Sequence, residues 1–468
     1  MQIESRSIDY VPARERHGRA WHLWPVWFTG GTQLASVATG VIGIALGANF
    51  ACSALAASAG CALGTFFMAL HSAQGPQLGL PQMIQSRPQF GYMGALLVWV
   101  IALISYVGYN AFNEVLGGDT ARRLWGCNAH AGGTVFTLLA LAVSVVGYDL
   151  IHRAQRGLAY LLIVVLLFFT IGAALRLHLP AQSWSLRPFP ATAFLTQFFA
   201  AAAYQLSGAF YVSDYSRYLP REVGVRAPFY WTYGGAFVGS LWAMLVGTAA
   251  AAVFPRLSVA AALSAAGDLV WPGCGGILLA VALMGLLTMT SLNYYGASLT
   301  LLSVVDSLSP LRATRAKRVG SVLAVGLTAH LLAYGFTGDF VRAFSDLLAM
   351  LLCLFTPWTA INLVDFYLVR RTHYSIREIF NPHGLYGRWN CRGLAAYALG
   401  FAAMLPFVHT ELYEGPLAHL LGGADVSMPV GLVVAAGIYY CSYRRVDLGP
   451  EFASARRADS GLDAECRA

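Results

Sequence analysis

Hydrophobic residues run along this chain in blocks of about 20, separated by short polar stretches. Each block is long enough to cross a hydrocarbon core of about 30 Å as a helix. Twelve blocks are centred near residues 35, 60, 103, 139, 167, 201, 240, 284, 328, 355, 401 and 434. Two of them carry a polar interruption. Gln33 lies in Trp27-Phe-Thr-Gly-Gly-Thr-Gln-Leu-Ala-Ser36, and Gln205 in Ala202-Ala-Tyr-Gln-Leu-Ser-Gly208. Both glutamines adjoin glycine or hydroxyl residues, where a membrane helix can open. Broken helices at corresponding places in two halves point to a transporter's binding site. The glutamines fall in the first and sixth blocks. That spacing predicts a five-plus-five inverted repeat with helices one and six broken and two extra helices at the end.

Composition places the chain in the bilayer. Of its 468 residues, 57% are hydrophobic and 11% charged, whereas soluble domains carry about 25% charge. The expectation is an all-α integral membrane protein with a cytoplasmic tail over 1–20, a transmembrane domain over 21–443 and a cytoplasmic tail over 444–468. The first twenty residues hold Arg6, Arg14, Arg16 and Arg19 without an apolar core, and so resemble no cleaved signal. With the N terminus inside, all but six of the 30 Lys and Arg residues fall in cytoplasmic segments; the exceptions are Arg122, Arg123, Arg176, Arg187, Arg256 and Arg342. That asymmetry follows the positive-inside rule and predicts a multi-pass protein of the cell's inner (plasma) membrane. The net charge of +8 is therefore a topology signal and not a nucleic-acid footprint. The eight cysteines show no metal-ligand spacing and read as packing residues. Three cytoplasmic loops, 71–90, 214–227 and 370–393, exceed a tight turn. The first contains Gly75-Pro-Gln-Leu-Gly-Leu-Pro81, which needs protein or water around it. The tail after Tyr443 reads as solvated.

The chemistry sits in neutral side chains. The chain contains no HExxH, G-x-S-x-G or Walker loop, so no enzyme is expected. The mid-membrane parts of blocks one, three, six and eight lack charge. They hold Trp27, Thr29, Thr32 and Gln33; Tyr106, Tyr109 and Asn110; Tyr204, Gln205 and Ser207; and Thr288, Thr290, Ser291 and Asn293. Planar amides offer donors and acceptors in one plane, and aromatic faces stack on flat rings. The set suits a flat, neutral, hydrogen-bonding solute such as a nucleobase. Taken singly, a membrane amide is as readily interhelical glue, and Thr288 or Ser291 can bond its own helix. No cofactor is expected beyond a coupling cation, Na+ or H+. Backbone carbonyls near Thr29 and Thr32, with oxygens near Thr288 and Ser291, would suit sodium. For a proton the candidates are Glu114, Asp346 and His330. The first two lie toward the outer ends of their segments, and His330 reads as a satisfied core histidine. A membrane sensor that binds the same solute without carrying it is the rival from another class. It would need a signalling domain, for which neither tail has length.

Several longer runs resemble a known family. They are Ile8-Asp-Tyr-Val-Pro-Ala-Arg-Glu-Arg-His-Gly18, Phe67-Met-Ala-Leu-His-Ser-Ala-Gln-Gly-Pro76, Leu80-Pro-Gln-Met-Ile-Gln-Ser-Arg87, Val212-Ser-Asp-Tyr-Ser-Arg-Tyr-Leu-Pro220, Asn362-Leu-Val-Asp-Phe-Tyr-Leu-Val-Arg-Arg371 and Ile379-Phe-Asn-Pro-His-Gly-Leu-Tyr-Gly-Arg-Trp-Asn390. They look like bacterial purine–cytosine permeases of the nucleobase–cation symporter-1 family. The resemblance implies twelve helices of the leucine-transporter kind and alternating access, importing cytosine or a purine with a cation. It implies substrate contacts at Gln33, Tyr106 (where relatives place a stacking tryptophan), Asn110, Tyr204, Gln205, Ser207 and Asn293. It implies sodium contacts at Thr29, Thr32 and Thr288 through backbone carbonyls, and at Ser291. Leu292 stands where sodium-coupled relatives have a second hydroxyl, which leaves proton coupling open. An allantoin- or hydantoin-type cyclic ureide is the alternative cargo, because it presents similar amide edges.

Overall fold

The computed structural model describes residues 9–146, 148–309, 314–459 and 462. Its apolar blocks are helices, because a chain in hydrocarbon must satisfy its own backbone hydrogen bonds. The first block is split into α1 (Leu23–Gly31) and α2 (Leu34–Ala45), with Thr32 and Gln33 between them. There follow α3 (Phe50–Ser72), α4 (Leu96–Trp125), α5 (Ala129–Val146) and α6 (Tyr148–Arg176). The sixth block is also broken: α7 (Ala191–Leu206) passes into a 3-10 turn at Ser207–Phe210 before the short α8 (Val212–Ser216). The second half continues through α9 (Arg226–Val253), α10 (Val259–Val270), α11 (Cys274–Leu308), α12 (Arg315–Tyr334) and α13 (Phe340–Val364). Helices α14 (Cys391–Met404) and α15 (Ser427–Tyr443) stand outside the two repeats.

Among the described residues, five helices are long and apolar enough to span a membrane unaided: those over Phe50–Leu78, Leu96–Trp125, Arg226–Val253, Cys274–Leu308 and Phe340–Val369. The twelve segments fall where the hydrophobic blocks predict them. Helix α10 was not anticipated, because its apolar run of 12 residues is too short for a span; it packs beneath α11.

Small residues let the inner helices approach closely, which is the main source of helix association in lipid. Gly60 and Gly64, one turn apart on α3, face the backbones of Phe198 and Ala202, also one turn apart on α7. Gly40 on α2 meets the Met244 backbone of α9, and Gly247 on α9 meets that of Val37. The broken first segment is thereby wedged between α3, α7 and α9.

At the end of the bundle that carries both described ends of the chain, the loops between spans fold together. Gln74 donates to Asn362 Oδ1 at 2.7 Å, the Gln82 backbone N–H donates to Asp214 Oδ1 at 2.8 Å, and His71 stacks on Trp358 at 4.6 Å. Asp365, fully buried, accepts from Gln89 (2.7 Å), Tyr374 (2.8 Å), Tyr439 (2.9 Å) and Arg370 (2.5 Å). The polar run after residue 74 is thus covered by protein, as its sequence requires.

The tails are not simply solvated. The Val11 N–H donates to the Gly79 carbonyl and the His17 N–H to that of Tyr218. Residues 449–458 form a helix, α16 (Gly449–Ala458), whose Glu451 pairs with Arg370 at 2.6 Å. Asp459 just beyond it accepts from the backbones of Ile376 and Arg377. The buried Arg370 and the backbone and hydroxyl donors of Ser375–Arg377, invisible as partners in the linear sequence, draw this tail inward. Its last six residues, 463–468, lie outside the described part.

A Gly64→Leu substitution would drive a side chain into the Ala202 backbone. Overpacking of this kind costs about 1–3 kcal/mol. The midpoint of thermal unfolding in detergent should fall, whereas Gly437→Leu, at a position with open space around it, should leave it unchanged.

Candidate functional site

The two helix breaks face each other, and their unpaired backbone groups explain the side chains around them. A helix end leaves carbonyls without intrahelical partners. At the end of α1, the Gly30 carbonyl accepts from Gln33 Nε2 at 3.2 Å, and the Gly31 carbonyl accepts from Ser36 Oγ at 2.6 Å. At the end of α7, the Tyr204 carbonyl accepts from Ser207 Oγ at 2.7 Å.

These capping groups also tie one break to the other. Gln33 Nε2 donates to the Tyr204 hydroxyl at 2.8 Å, and that hydroxyl lies 2.8 Å from Ser36 Oγ. Ser36 Oγ stands between the Gly31 carbonyl and the Tyr204 hydroxyl and can donate to either. Because Ser207 gives its proton to the Tyr204 carbonyl, the Tyr109 hydroxyl donates to Ser207 Oγ at 2.8 Å. One connected network therefore runs from α1 and α2 through α7 to α4. Further along, Gln197 of α7 accepts from the Gly43 N–H at 2.7 Å and donates to the Thr39 carbonyl at 3.0 Å.

A cleft opens beside this network. The space inside it is small, about 50 Å³. Gln33, Tyr106, Tyr204, Gln205, Ser207 and Asn293 all line it, which brings six of the seven expected substrate residues together. Trp27, Tyr109, Tyr211 and Phe210 supply most of its aromatic wall. Tyr106 meets Phe210 edge-on at 4.8 Å and is stacked with Tyr211 at 6.4 Å. Several polar atoms are buried without a partner, among them Gln33 Oε1, Trp27 Nε1 and Ser240 Oγ. A neighbouring pocket shares Tyr106, Tyr211 and Asn293 with the cleft and is also lined by Asp214 and Arg217.

Asn110 is the exception. It is fully buried but absent from the cleft wall, where Asn113 stands instead, donating to Thr290 Oγ1 of α11 at 3.1 Å. At about 100° per residue, Tyr106, Tyr109 and Asn113 share an arc of roughly 60°, and Asn110 falls about 40° beyond it. The i, i+3, i+7 spacing from Tyr106 carries this signal. Ser240, Met68 and Tyr211 had no local signal, because packing of distant segments alone brings them here.

Gln205 is placed at the cleft, yet its Nε2 is engaged by the scaffold. It donates to Thr65 Oγ1 of α3 at 2.5 Å and to the Ala236 carbonyl of α9 at 3.3 Å. The four residues expected at a cation site each bond within their own helix. Thr29 and Thr32 donate to Pro25 and Phe28, and Thr288 and Ser291 to Gly285 and Leu287. The Thr32 carbonyl lies beside Gly285, one turn before Thr288 on α11.

Broken first and sixth segments enclosing an uncharged cleft within an inverted repeat define a secondary-transporter architecture. Residues 10–431 match the family described as permeases for cytosine/purines, uracil, thiamine and allantoin, and the chain belongs to that family. It is 35% identical over 440 residues to YxlA of Bacillus subtilis (strain 168), covering 94% of this chain and 96% of that protein. It is 22% identical to the purine-cytosine permease fcyB of Emericella nidulans, across 94% and 88% of the two chains. Its fold matches that of Mhp1, a nucleobase-cation-symport-1 family transporter solved closed with bromovinylhydantoin bound. The TM-score is 0.75 at 16% identity, over 98% of both chains. The chain is thus a multi-pass membrane permease of the nucleobase–cation symporter family, and not an enzyme.

Tyr204→Phe removes the hydroxyl that joins the two breaks and leaves Gln33 and Ser36 short of a partner. A lost buried hydrogen bond of about 1–3 kcal/mol should weaken equilibrium binding of the transported ring by about tenfold or more, checked by isothermal calorimetry. Asn113→Ala should weaken it further than Asn110→Ala in the same measurement.

Proposed function

We propose that this permease imports a nucleobase, cytosine or a purine, with a coupling cation by alternating access. The observation that carries this reading is the cleft's inventory: planar amides and aromatic faces, with buried donors and acceptors still free, and no charged side chain on its lining. A neutral ring with amide edges satisfies those groups, whereas an anion or sugar phosphate would find no cation there. The ring stacks on Tyr106, with Tyr204 and Trp27 closing the aromatic wall. Its edges bond to Gln33, Asn293 and Asn113, while Gln205, Tyr204 and Ser207 hold the broken segment that presents them. The purine-cytosine permeases fcyB and FCY2 among its relatives support this cargo class.

The coupling cation is either sodium, held by the carbonyls of Thr29, Thr32 and Thr288 with the Ser291 hydroxyl, or a proton bound elsewhere. The Lys and Arg asymmetry supports cytoplasmic termini in the inner (plasma) membrane.

The test is uptake of radiolabelled cytosine into proteoliposomes, with sodium and pH gradients imposed separately and adenine, uracil and allantoin as competitors. Concentrative cytosine or adenine uptake is expected. Allantoin carried while cytosine and adenine are not would replace the nucleobase with a cyclic ureide. Binding without movement of any ring would replace the carrier with a sensor.

A further inference from the structure

One buried ionisable pair has no part in the cleft. Glu114 lies on α4 and His330 on α12, 216 positions apart in sequence, yet His330 Nδ1 is 2.6 Å from Glu114 Oε1. The other carboxyl oxygen accepts from Thr137 Oγ1 of α5 at 2.7 Å. The Glu114 side chain is 5% exposed and that of His330 27%. Ionisable groups at membrane depth are expensive and mark ion pathways or proton relays when they occur.

The position of the pair relative to the cleft gives it a function. Glu114 follows directly on Asn113, which lines the cleft and binds Thr290 of α11. His330 is the more exposed partner, and the Tyr334 ring lies 6.0 Å from its ring and 5.2 Å from that of His130. A line of titratable groups therefore leads from the surface at His130 and Tyr334, through His330, to a carboxyl bonded into the helix that forms the cleft wall. The remaining charged groups nearby are committed elsewhere. On α4 itself, Asp119 pairs with Arg122 at 2.7 Å. On α10, Asp268 accepts from the Gly273 and Gly275 backbones, and on α13, Asp346 accepts from that of Glu411. From α11, the buried Tyr294 hydroxyl lies close to Thr137 and Glu114.

We propose that Glu114 and His330 form the proton-binding site through which this permease couples transport to a proton gradient. The inference rests on the transport reading above and names its cation. A contact of 2.6 Å between Nδ1 and Oε1 holds one proton between the two atoms. With the transported proton bound, the neutral carboxyl donates to Nδ1 of an imidazole that carries its hydrogen on Nε2; with that proton lost through Nε2, Nδ1–H donates to a carboxylate. The contact persists in both states, but a buried charge appears or disappears, which changes how strongly α4 and α12 are held together. The cycle is balanced: one proton enters at His330 from one aqueous side, is held by the pair while the ring is bound, and leaves to the other side with it. Because Asn113 and Glu114 are adjacent on one helix, that change in attraction at Glu114 shifts the cleft wall. The sodium ligands, whose hydroxyls bond within their own helices, are not required for this.

The test uses the full chain in two formats. In proteoliposomes containing a pH-sensitive dye, an inward proton gradient should drive accumulation of labelled cytosine or adenine together with acidification of the lumen. Glu114→Gln should lower gradient-driven accumulation at least tenfold, while counterflow exchange, which needs no net proton movement, persists. In detergent, infrared difference spectra between about pH 5 and 8 should show a protonated-carboxyl band that is absent from Glu114→Gln. That band should appear at a different pH in His330→Gln, which serves if the glutamate variant fails to fold. Accumulation driven by sodium alone, unchanged proton coupling in Glu114→Gln, or the absence of a titrating carboxyl band would each overturn the proposal. If the wild type moves none of the rings, the transport reading fails, and the infrared band still decides whether this carboxyl exchanges a proton.

Discussion

The requirement that backbone polar groups find partners inside the membrane governs this structure more than any other constraint. Two helices are opened where a solute must bind, and the peptide groups so freed cannot turn to water. Gln33, Ser36 and Ser207 take up those carbonyls from within the same segments. Their remaining hydrogen-bonding capacity is then directed at Tyr204 and Tyr109, so that repairing each break also joins it to the other. The cleft is a consequence of this repair. Its polar atoms are the ones left over once the backbone is satisfied, Gln33 Oε1 among them.

A second constraint concerns charge. The permease keeps ionic groups away from the cleft and gathers them where partners can surround them. At the end bearing the termini, Asp365 collects four donors and Arg370 bridges it to Glu451 of the C-terminal helix. A buried ion pair of this sort is weak evidence for net stability, because desolvation offsets much of the attraction. Its consequence is geometric: it holds together the loops between spans two and three and between spans ten and eleven. Runs that carry the family resemblance, including Leu80–Arg87 and Asn362–Arg371, converge here, while Phe67–Pro76 also reaches the cleft through Met68. They are distinctive because many buried polar groups must satisfy one another in a single arrangement.

Hydrophobic length, loop charge and the position of two glutamines determined the number of spans, their order and the two breaks, because hydrocarbon thickness and backbone satisfaction act locally along the chain. The same local logic located six of the seven expected substrate residues at the cleft. Asn110 lies off the cleft wall, since residues four apart on a helix differ in direction by about 40° and only neighbouring helices decide which of them faces a cavity. The local logic was blind to Ser240 and Tyr211, and it read His330 as a satisfied core histidine without identifying its partner. Tertiary structure alone set His330 against Glu114, drew the C-terminal helix onto Arg370, and directed Gln205 toward Thr65. Each of these depends on contacts between segments far apart in sequence, and no periodicity within one segment encodes them.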